Sequence, residues 1–175
     1  MSNYTPPLDD ISFVLNEIAG LKDVATLPGC EDATPDLVNT IIEEAGKFAA
    51  EVLAPLNHGG DVEGCKIENG VVRTPTGFKK AYKQFAESGW NGLPFDTKYG
   101  GQGLPWLVST AVSELWSSAN MAFSLCPMLT QGAVELLIAH GSESLKDKFL
   151  EKLVSGEWNG TMNLTEPQAG TDLAR

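Results

Sequence analysis

Residues 142–172 read SESLKDKFLEKLVSGEWNGTMNLTEPQAGTD, and the spacing of the apolar side chains changes part-way through. From Ser142 to Val154, Leu145, Phe149, Leu150 and Leu153 recur at helical spacing. Ser155-Gly156-Glu157 makes a turn. From Trp158 to Leu164 the apolar Trp158, Met162 and Leu164 stand among polar or small neighbours, which reads as a strand. A first strand after a run of helices predicts an α-domain that leads into a β-domain. One strand cannot make a stable sheet by itself. The expectation is that its partners lie in sequence beyond Arg175, or that the tail is disordered or borrowed by a neighbour.

Upstream, the pattern is helical. Ile11, Val14, Leu15 and Ile18 share one face of a short helix over 10–18. After a connector rich in Gly, Pro and acids, Thr34-Pro35-Asp36 is a helix start, with a capping hydroxyl, Pro in the first turn and a negative charge at the positive helix end. Leu37, Ile41, Ala45, Phe48, Ala49, Val52 and Leu53 continue that stripe, which is expected to stop at Ala54-Pro55. Residues 67–74 form an extended segment around the turn dipeptide Asn69-Gly70. A helix over 77–87 buries Phe78, Ala81, Tyr82 and Phe85, and residues 90–104 form a Gly-rich loop. Two further helices are expected over about 105–119 and 124–139, before the one at 142–154. The fold class is therefore mainly α, about six helices followed by the first strand of a truncated β-domain.

Composition excludes several functions. The chain of 175 residues carries a formal net charge of −11, which argues against a nucleic-acid surface because phosphate binding needs clustered Lys and Arg. The lysines at 79, 80, 83, 146, 148 and 152 stand beside acids on solvated helix faces. Cys30, Cys65 and Cys126 have neither metal-ligand spacing nor an even-numbered disulfide framework, so no metal site is expected. The first ten residues lack the basic and apolar regions of a signal peptide. The stretch Met121–Ala139 is interrupted by Pro127, Gln131 and Glu135, poor material for a membrane span. A cytoplasmic location is the resulting expectation.

The tail from Met162 to Asp172 concentrates the chemistry. Thr165 and Thr171 offer hydroxyls, Gly170 frees the backbone for close approach, and successive N–H groups in such a turn can form an anion-binding concavity. The same residue types also make an ordinary turn. On the residues alone, both readings stand.

Leu164-Thr165-Glu166-x-x-Ala169-Gly170-Thr171-Asp172 resembles the signature of the acyl-CoA dehydrogenases: aliphatic, Ser or Thr, Glu, two variable residues, small, Gly, Ser or Thr, Asp. Tyr99-Gly100-Gly101-Gln102-Gly103-Leu104 resembles a helix-connecting loop of that family. His140-Gly141-Ser142-Glu143-Ser144-Leu145-Lys146, leading to Ser155-Gly156-Glu157, resembles its approach to the flavin strand. The three segments follow the family's order, and the likeness covers about residues 37–175. The opening Leu8–Leu15 and the stretch Ala119–Phe123 resemble the larger subgroup that includes 3-methylmercaptopropionyl-CoA dehydrogenases. Asn163 and Arg175 depart from the small residues usual at their positions.

The resemblance implies FAD as cofactor and an acyl-CoA thioester as substrate. A carboxylate base takes the α proton while a hydride passes from Cβ to flavin N5, and an electron-transfer flavoprotein then accepts the electrons. It places Met162, Leu164 and Thr165 against the flavin ring, with Thr165 hydrogen-bonding the pyrimidine edge. Gly170 and Thr171 fall where the motif meets the flavin diphosphate, and Thr171 also meets the CoA portion of the substrate. The helices carrying Phe123, Leu125, Met128, Leu129 and Leu136 are candidates for a wall of the acyl pocket, with Met128 and Leu129 as substrate contacts; core packing explains the same spacing.

No catalytic residue is expected in this chain. Glu166 belongs to the turn, and the family keeps its base on a later helical domain. Glu135 reads as a helix-rim acid, and His58 and His140 lack partners for a triad. The expected division is an N-terminal helix and connector over 1–34, the helical domain over 35–156, and the start of an incomplete β-domain over 157–175. The expected behaviour is a fragment that is inactive alone and does not retain FAD. A homo-oligomer is expected, because faces normally covered by other domains would be exposed. The alternative function is a non-catalytic helical self-association module that keeps the fold.

Overall fold

The computed structural model describes residues 4–170 and residue 172. Helix α1 spans Leu8–Phe13 and runs on as a π-helical turn, Val14–Ile18. That wider turn rotates the apolar face. Ile11 and Leu15 are buried, while Val14 and Ile18 face outward, so only half of the expected stripe is used. A short helix α2, Leu21–Val24, interrupts the connector.

Helix α3, Pro35–Phe48, begins as its sequence predicts. Thr34 Oγ1 accepts from Leu37 N–H at 3.3 Å, Pro35 fills the first turn, and Asp36 faces the positive helix end. Val38, Ile42, Ala45, Ala49 and Leu53 form its buried face, one position off the expected Leu37 and Ile41 at the start. The helix does not stop at Pro55. A π-helical turn, Ala49–Leu53, precedes it, and α4 continues over Ala54–Glu63. Proline lacks an N–H and its ring crowds the carbonyl four residues back. Widening the preceding turn is one way for a helix to pass such a residue.

The extended segment expected around Asn69-Gly70 is a hairpin. Strand β1, Lys66–Glu68, pairs antiparallel with β2, Val71–Arg73. Asn69 and Gly70 both have positive φ, 52° and 76°, which a two-residue hairpin turn of the primed type requires. Its base is tied to α4, because the Glu63 carboxylate accepts from Thr76 N–H at 2.8 Å and from Thr76 Oγ1 at 3.2 Å. Those two bonds hold the Glu63 carboxyl below its usual range.

Helix α5, Phe78–Glu87, follows Gly77, whose φ of 90° makes the entry turn. The loop over 90–104 folds back on itself. Gln102 N donates to Gly92 O, Gly103 N to Phe95 O and Leu104 N to Leu93 O. A Cβ on Gly101 would overlap the Phe95 backbone, so this position of the Gly-rich loop needs glycine for close approach.

The two helices expected over about 105–119 and 124–139 form and run end to end as α6, Trp106–His140, on either side of a break at Asn120, whose φ and ψ of −158° and 88° are not helical. Asn120 joins the halves. Its Oδ1 accepts from Phe123 N–H at 3.1 Å, capping the second half, and its Nδ2 donates to Leu53 O at 3.1 Å, at the end of the π turn. By length and apolarity α6 could cross a membrane, but here it is kinked and packs against α3, α4 and the π turn between them. Helix α7, Glu143–Val154, is capped by Ser142 and packs on α6.

The main core centres on Phe85, with Phe48, Trp116 and Phe123 at ring centroid distances of 5.7–6.5 Å. A second cluster of Phe95, Val134, Leu150, Leu153 and Val154 seals the loop, α6 and α7 together. The strand expected over Trp158–Leu164 does not form. Among the described residues no strand lies beside it, and Trp158 N–H is taken by Lys152 O at 3.0 Å at the end of α7. Among the described residues of the tail, a β-bridge of Glu166 with Ala169 closes a tight turn over Pro167-Gln168.

Candidate functional site

The chain leaves α7 under close control. Asn91, fully buried in the loop, donates from Nδ2 to Leu153 O at 2.8 Å and holds the end of α7. Gly156 turns the backbone with φ 76°, and Trp158 leans its ring on Phe149 at 6.0 Å. Asn159 then points its side-chain oxygen at three donors: Tyr82 Oη at 2.6 Å, Cys126 Sγ at 3.3 Å and Thr130 Oγ1 at 3.4 Å. Tyr82 Oη also lies 2.9 Å from Gly156 O, so its single proton serves two acceptors on the same segment. Gly160 N–H donates to Thr130 Oγ1 at 3.2 Å.

Gly160 sits against the second half of α6, where a Cβ would overlap that of Ala133. Gly160→Ala should therefore push the segment off the helix and weaken the bond to Thr130. The expected cost is about 1–3 kcal/mol, as for other overpacked sites, read as a lower thermal midpoint with amide shifts concentrated over 158–164.

Beside this segment lies a cleft of about 1090 Å³ between α4, the hairpin base, α5 and the second half of α6. Phe78, Met121, Ala122, Phe123 and Leu125 line it with apolar surface, and Asn57, His58, Asp61 and Lys79 add polar groups to the lining. Tyr82, Cys126 and Asn159 belong both to the cleft lining and to the hydrogen-bond cluster just described. Partial burial pushes the Tyr82 phenol up to about 12, with the nearby Cys126 adding to the rise and the bond to Asn159 opposing it. Burial also raises the Cys126 thiol. Both groups are neutral hydrogen-bonding partners at neutral pH. For Tyr82 the linkage sign follows: folding favours the protonated phenol, so its contribution is complete below pH 10 and is lost as pH rises towards 12.

The residues expected to meet a flavin lie just beyond. Met162, Leu164 and Thr165 are exposed, Met162 by 60%. Gly170 is exposed and has open space where a side chain would stand. Thr171 and Arg175 lie outside the described residues. Glu166 is exposed in the turn, as are Glu135 and His140 on the surface of α6. Met128 is exposed at a small cavity beside Phe85, Trp116 and Ser124, and Leu129 is half-buried; neither lines the large cleft, whereas Leu125 and Cys126 do. His58, read from the sequence as structural or superficial, is exposed and stands on the cleft lining. Sequence reasoning did not single out Tyr82, Cys126 or Asn159 for a site. The available signal was slight: one tyrosine on an otherwise apolar helical stripe, and an Asn-Gly pair just before the polar tail.

Among the described residues, no group of three or more His, Cys, Asp or Glu could hold a metal ion. The model for the acyl-CoA dehydrogenase N-terminal domain matches residues 37–157. The chain is 44% identical over 172 residues to 3-methylmercaptopropionyl-CoA dehydrogenase of Ruegeria pomeroyi, covering 98% of this chain and 29% of that protein. It is 33% identical to a butyryl-CoA dehydrogenase of Syntrophomonas wolfei, covering 98% of this chain and 28% of that one. Among solved structures, butyryl-CoA dehydrogenase from Megasphaera elsdenii superposes with a TM-score of 0.63 at 26% identity, over 79% of this chain and 34% of that one. A chain from a study of the electron transferring flavoprotein of Acidaminococcus fermentans gives a TM-score of 0.64 at 25% identity, over 78% of this chain and 33% of that one. The chain thus spans about three tenths of the length of the curated relatives it matches.

Proposed function

The chain belongs to the acyl-CoA dehydrogenase family through its N-terminal domain, and on that basis we propose that it forms the helical wall of a flavin-dependent active site that oxidises an acyl-CoA thioester to its 2-enoyl-CoA. One observation carries this reading: Asn159 lines the apolar cleft and stands three residues before Met162, the first expected flavin contact, from which residues 162–168 run exposed.

The tail fits FAD in its chemistry. Met162 and Leu164 present apolar surface for a flat ring, Thr165 presents a hydroxyl for its polar edge, and Gly170 leaves the backbone open. When bound, FAD supplies the acceptor for a hydride from the β-carbon of the substrate. This chain's own residues orient and enclose. Phe78, Phe123, Met121 and Leu125 exclude water from the acyl chain, and Thr165 donates towards charge that develops on reduction. The polarisable Met121 and Cys126 present soft, adaptable surface to an acyl chain in the cleft. Thr171 is proposed for the diphosphate and CoA contacts; Met128 and Leu129, which do not line the cleft, are not assigned to this wall.

Asp61 is an exposed carboxylate on the cleft lining; the α-proton base is proposed to stand on another part of a family-length polypeptide. An electron-transfer flavoprotein is the proposed electron acceptor. Because Met162, Leu164 and Thr165 have no facing wall among the described residues, the chain by itself should neither keep FAD nor turn over. After incubation with excess FAD and gel filtration, the expected result is protein without flavin absorbance. Stoichiometric flavin in the protein peak would overturn the half-site reading.

A second reading has its own observation. Met121, Leu125, Met128 and Leu136 leave apolar surface exposed on the second half of α6, which favours a helical module that self-associates. A clean monomer in sedimentation would contradict it.

A further inference from the structure

We propose that Tyr82 is a positioning residue whose hydroxyl links the acyl cleft to the root of the flavin-contacting segment, so that filling the cleft fixes where Met162, Leu164 and Thr165 lie. The inference rests on the reading of the cleft as the acyl wall and goes beyond it by assigning a coupling element.

The geometry behind it is local. Tyr82 reaches from α5 to both Gly156 O and Asn159 Oδ1, while Cys126 and Thr130 reach the same Asn159 oxygen from α6. Thr130 is fully buried and holds Gly160 N–H. These bonds fasten residues 156–160 to two helices. Beyond Gly160 the fastening stops: among the described residues, no hydrogen bond joins 161–165 to the helical body. The expected flavin contacts therefore hang from this anchor, and their placement depends on it.

The anchor is also part of the cleft surface. Tyr82, Cys126 and Asn159 all line it, next to Phe123 and Phe78. The Tyr82 ring packs on Phe85 at 6.1 Å and on Phe123 at 6.4 Å, so a ligand pressing on that aromatic wall bears on the ring that carries the hydroxyl. Asn159, bonded by Tyr82 of α5 and by Cys126 and Thr130 of α6, lines the cleft between those helices, so pressure on the Tyr82 ring is passed to the segment through the Tyr82–Asn159 contact. Cys126 strengthens the arrangement as a neutral donor from the facing helix.

Tyr82→Phe removes the hydroxyl and keeps the ring packing, so it separates positioning from core structure. The measurement is amide hydrogen exchange by NMR on this chain and on the variant, each with and without butyryl-CoA. In the parent chain butyryl-CoA should shift the amides of Phe123, Leu125 and Cys126 and slow exchange over 159–165. In Tyr82→Phe the Gly160 amide should exchange roughly tenfold faster without ligand, with core amides at Phe85, Val112 and Leu150 unchanged. Butyryl-CoA should still shift the Phe123 and Leu125 amides but no longer slow 159–165. Asn159→Ala should give the same segment response. Unchanged exchange at Gly160 in Tyr82→Phe, or slowing of 159–165 by butyryl-CoA in that variant, overturns the coupling while leaving the acyl wall in place. If butyryl-CoA shifts no cleft amide in the parent chain, the acyl-wall reading falls and the coupling with it.

Discussion

Phe85→Ala should lower stability by about 3–5 kcal/mol, the usual cost of emptying a large aromatic site in a close-packed core. Phe85 is 1% exposed and lies edge-on to Trp116 and Phe123, tilted against Phe48 and Tyr82. Its removal opens a hole between α3, α5 and α6, where rigid neighbouring rings limit collapse. Edge-to-face contacts also vanish, each of about 0.5–1.5 kcal/mol beyond area alone. At this chain length each kcal/mol moves the thermal midpoint by about 2–4 °C, so a fall of roughly 6–20 °C is expected. Phe85→Leu, which keeps most of the volume, should cost clearly less. Equal losses for both variants would show that shape at this site is not what stabilises the core.

Asn120→Ala should be the next most damaging change, at about 2–4 kcal/mol. Two separate effects add. The second half of α6 loses the acceptor that caps Phe123 N–H, worth about 1 kcal/mol. Leu53 O loses its side-chain donor in a buried place, which costs about 1–3 kcal/mol more. Asn120→Asp separates them: the carboxylate can still accept from Phe123 N–H, but it sets lone pairs against the Leu53 carbonyl. Denaturant titration at neutral pH should rank Asp no better than Ala. An Asp variant near parental stability would mean that the bond to Leu53 carries little of the effect.

Local signals explain what the sequence disclosed. Thr34-Pro35 marked a helix start because capping depends on adjacent residues, and Asn69-Gly70 marked the hairpin because few pairs tolerate positive φ twice. The two helices expected over about 105–119 and 124–139 left between them the gap in which Asn120 breaks α6. Tertiary contacts decided the rest. Pro55 looked like a terminator, and nothing nearby in sequence announces the π turn that carries the helix past it. The alternation from Trp158 to Leu164 was real, but a strand also needs a neighbour to bond, and Lys152 O takes Trp158 N–H instead.

The site divides in the same way. The polar turn at 165–170 could be read as a motif, because its chemistry sits in consecutive residues. The cleft could not. It is assembled from α4, the hairpin base, α5, α6 and Asn159 beyond α7, whose side chains are up to about a hundred positions apart. Helical spacing placed Leu125 and Met128 on similar faces, yet only Leu125 reaches the large cleft. Tyr82 matched the core stripe of α5, and nothing in that stripe told that its hydroxyl would find Asn159.

The most direct test joins this chain in frame to the remaining seven tenths of the Ruegeria pomeroyi relative and loads the product with FAD. Butyryl-CoA or 3-methylmercaptopropionyl-CoA, added without oxygen, is expected to bleach the visible flavin absorption and yield the matching 2-enoyl-CoA. Leu125→Arg, which places a charge in the apolar wall, should raise KM far more than it lowers flavin content. A fused protein that holds FAD at full occupancy, yet is bleached by neither thioester, would contradict the assignment of this helical wall to acyl-CoA oxidation.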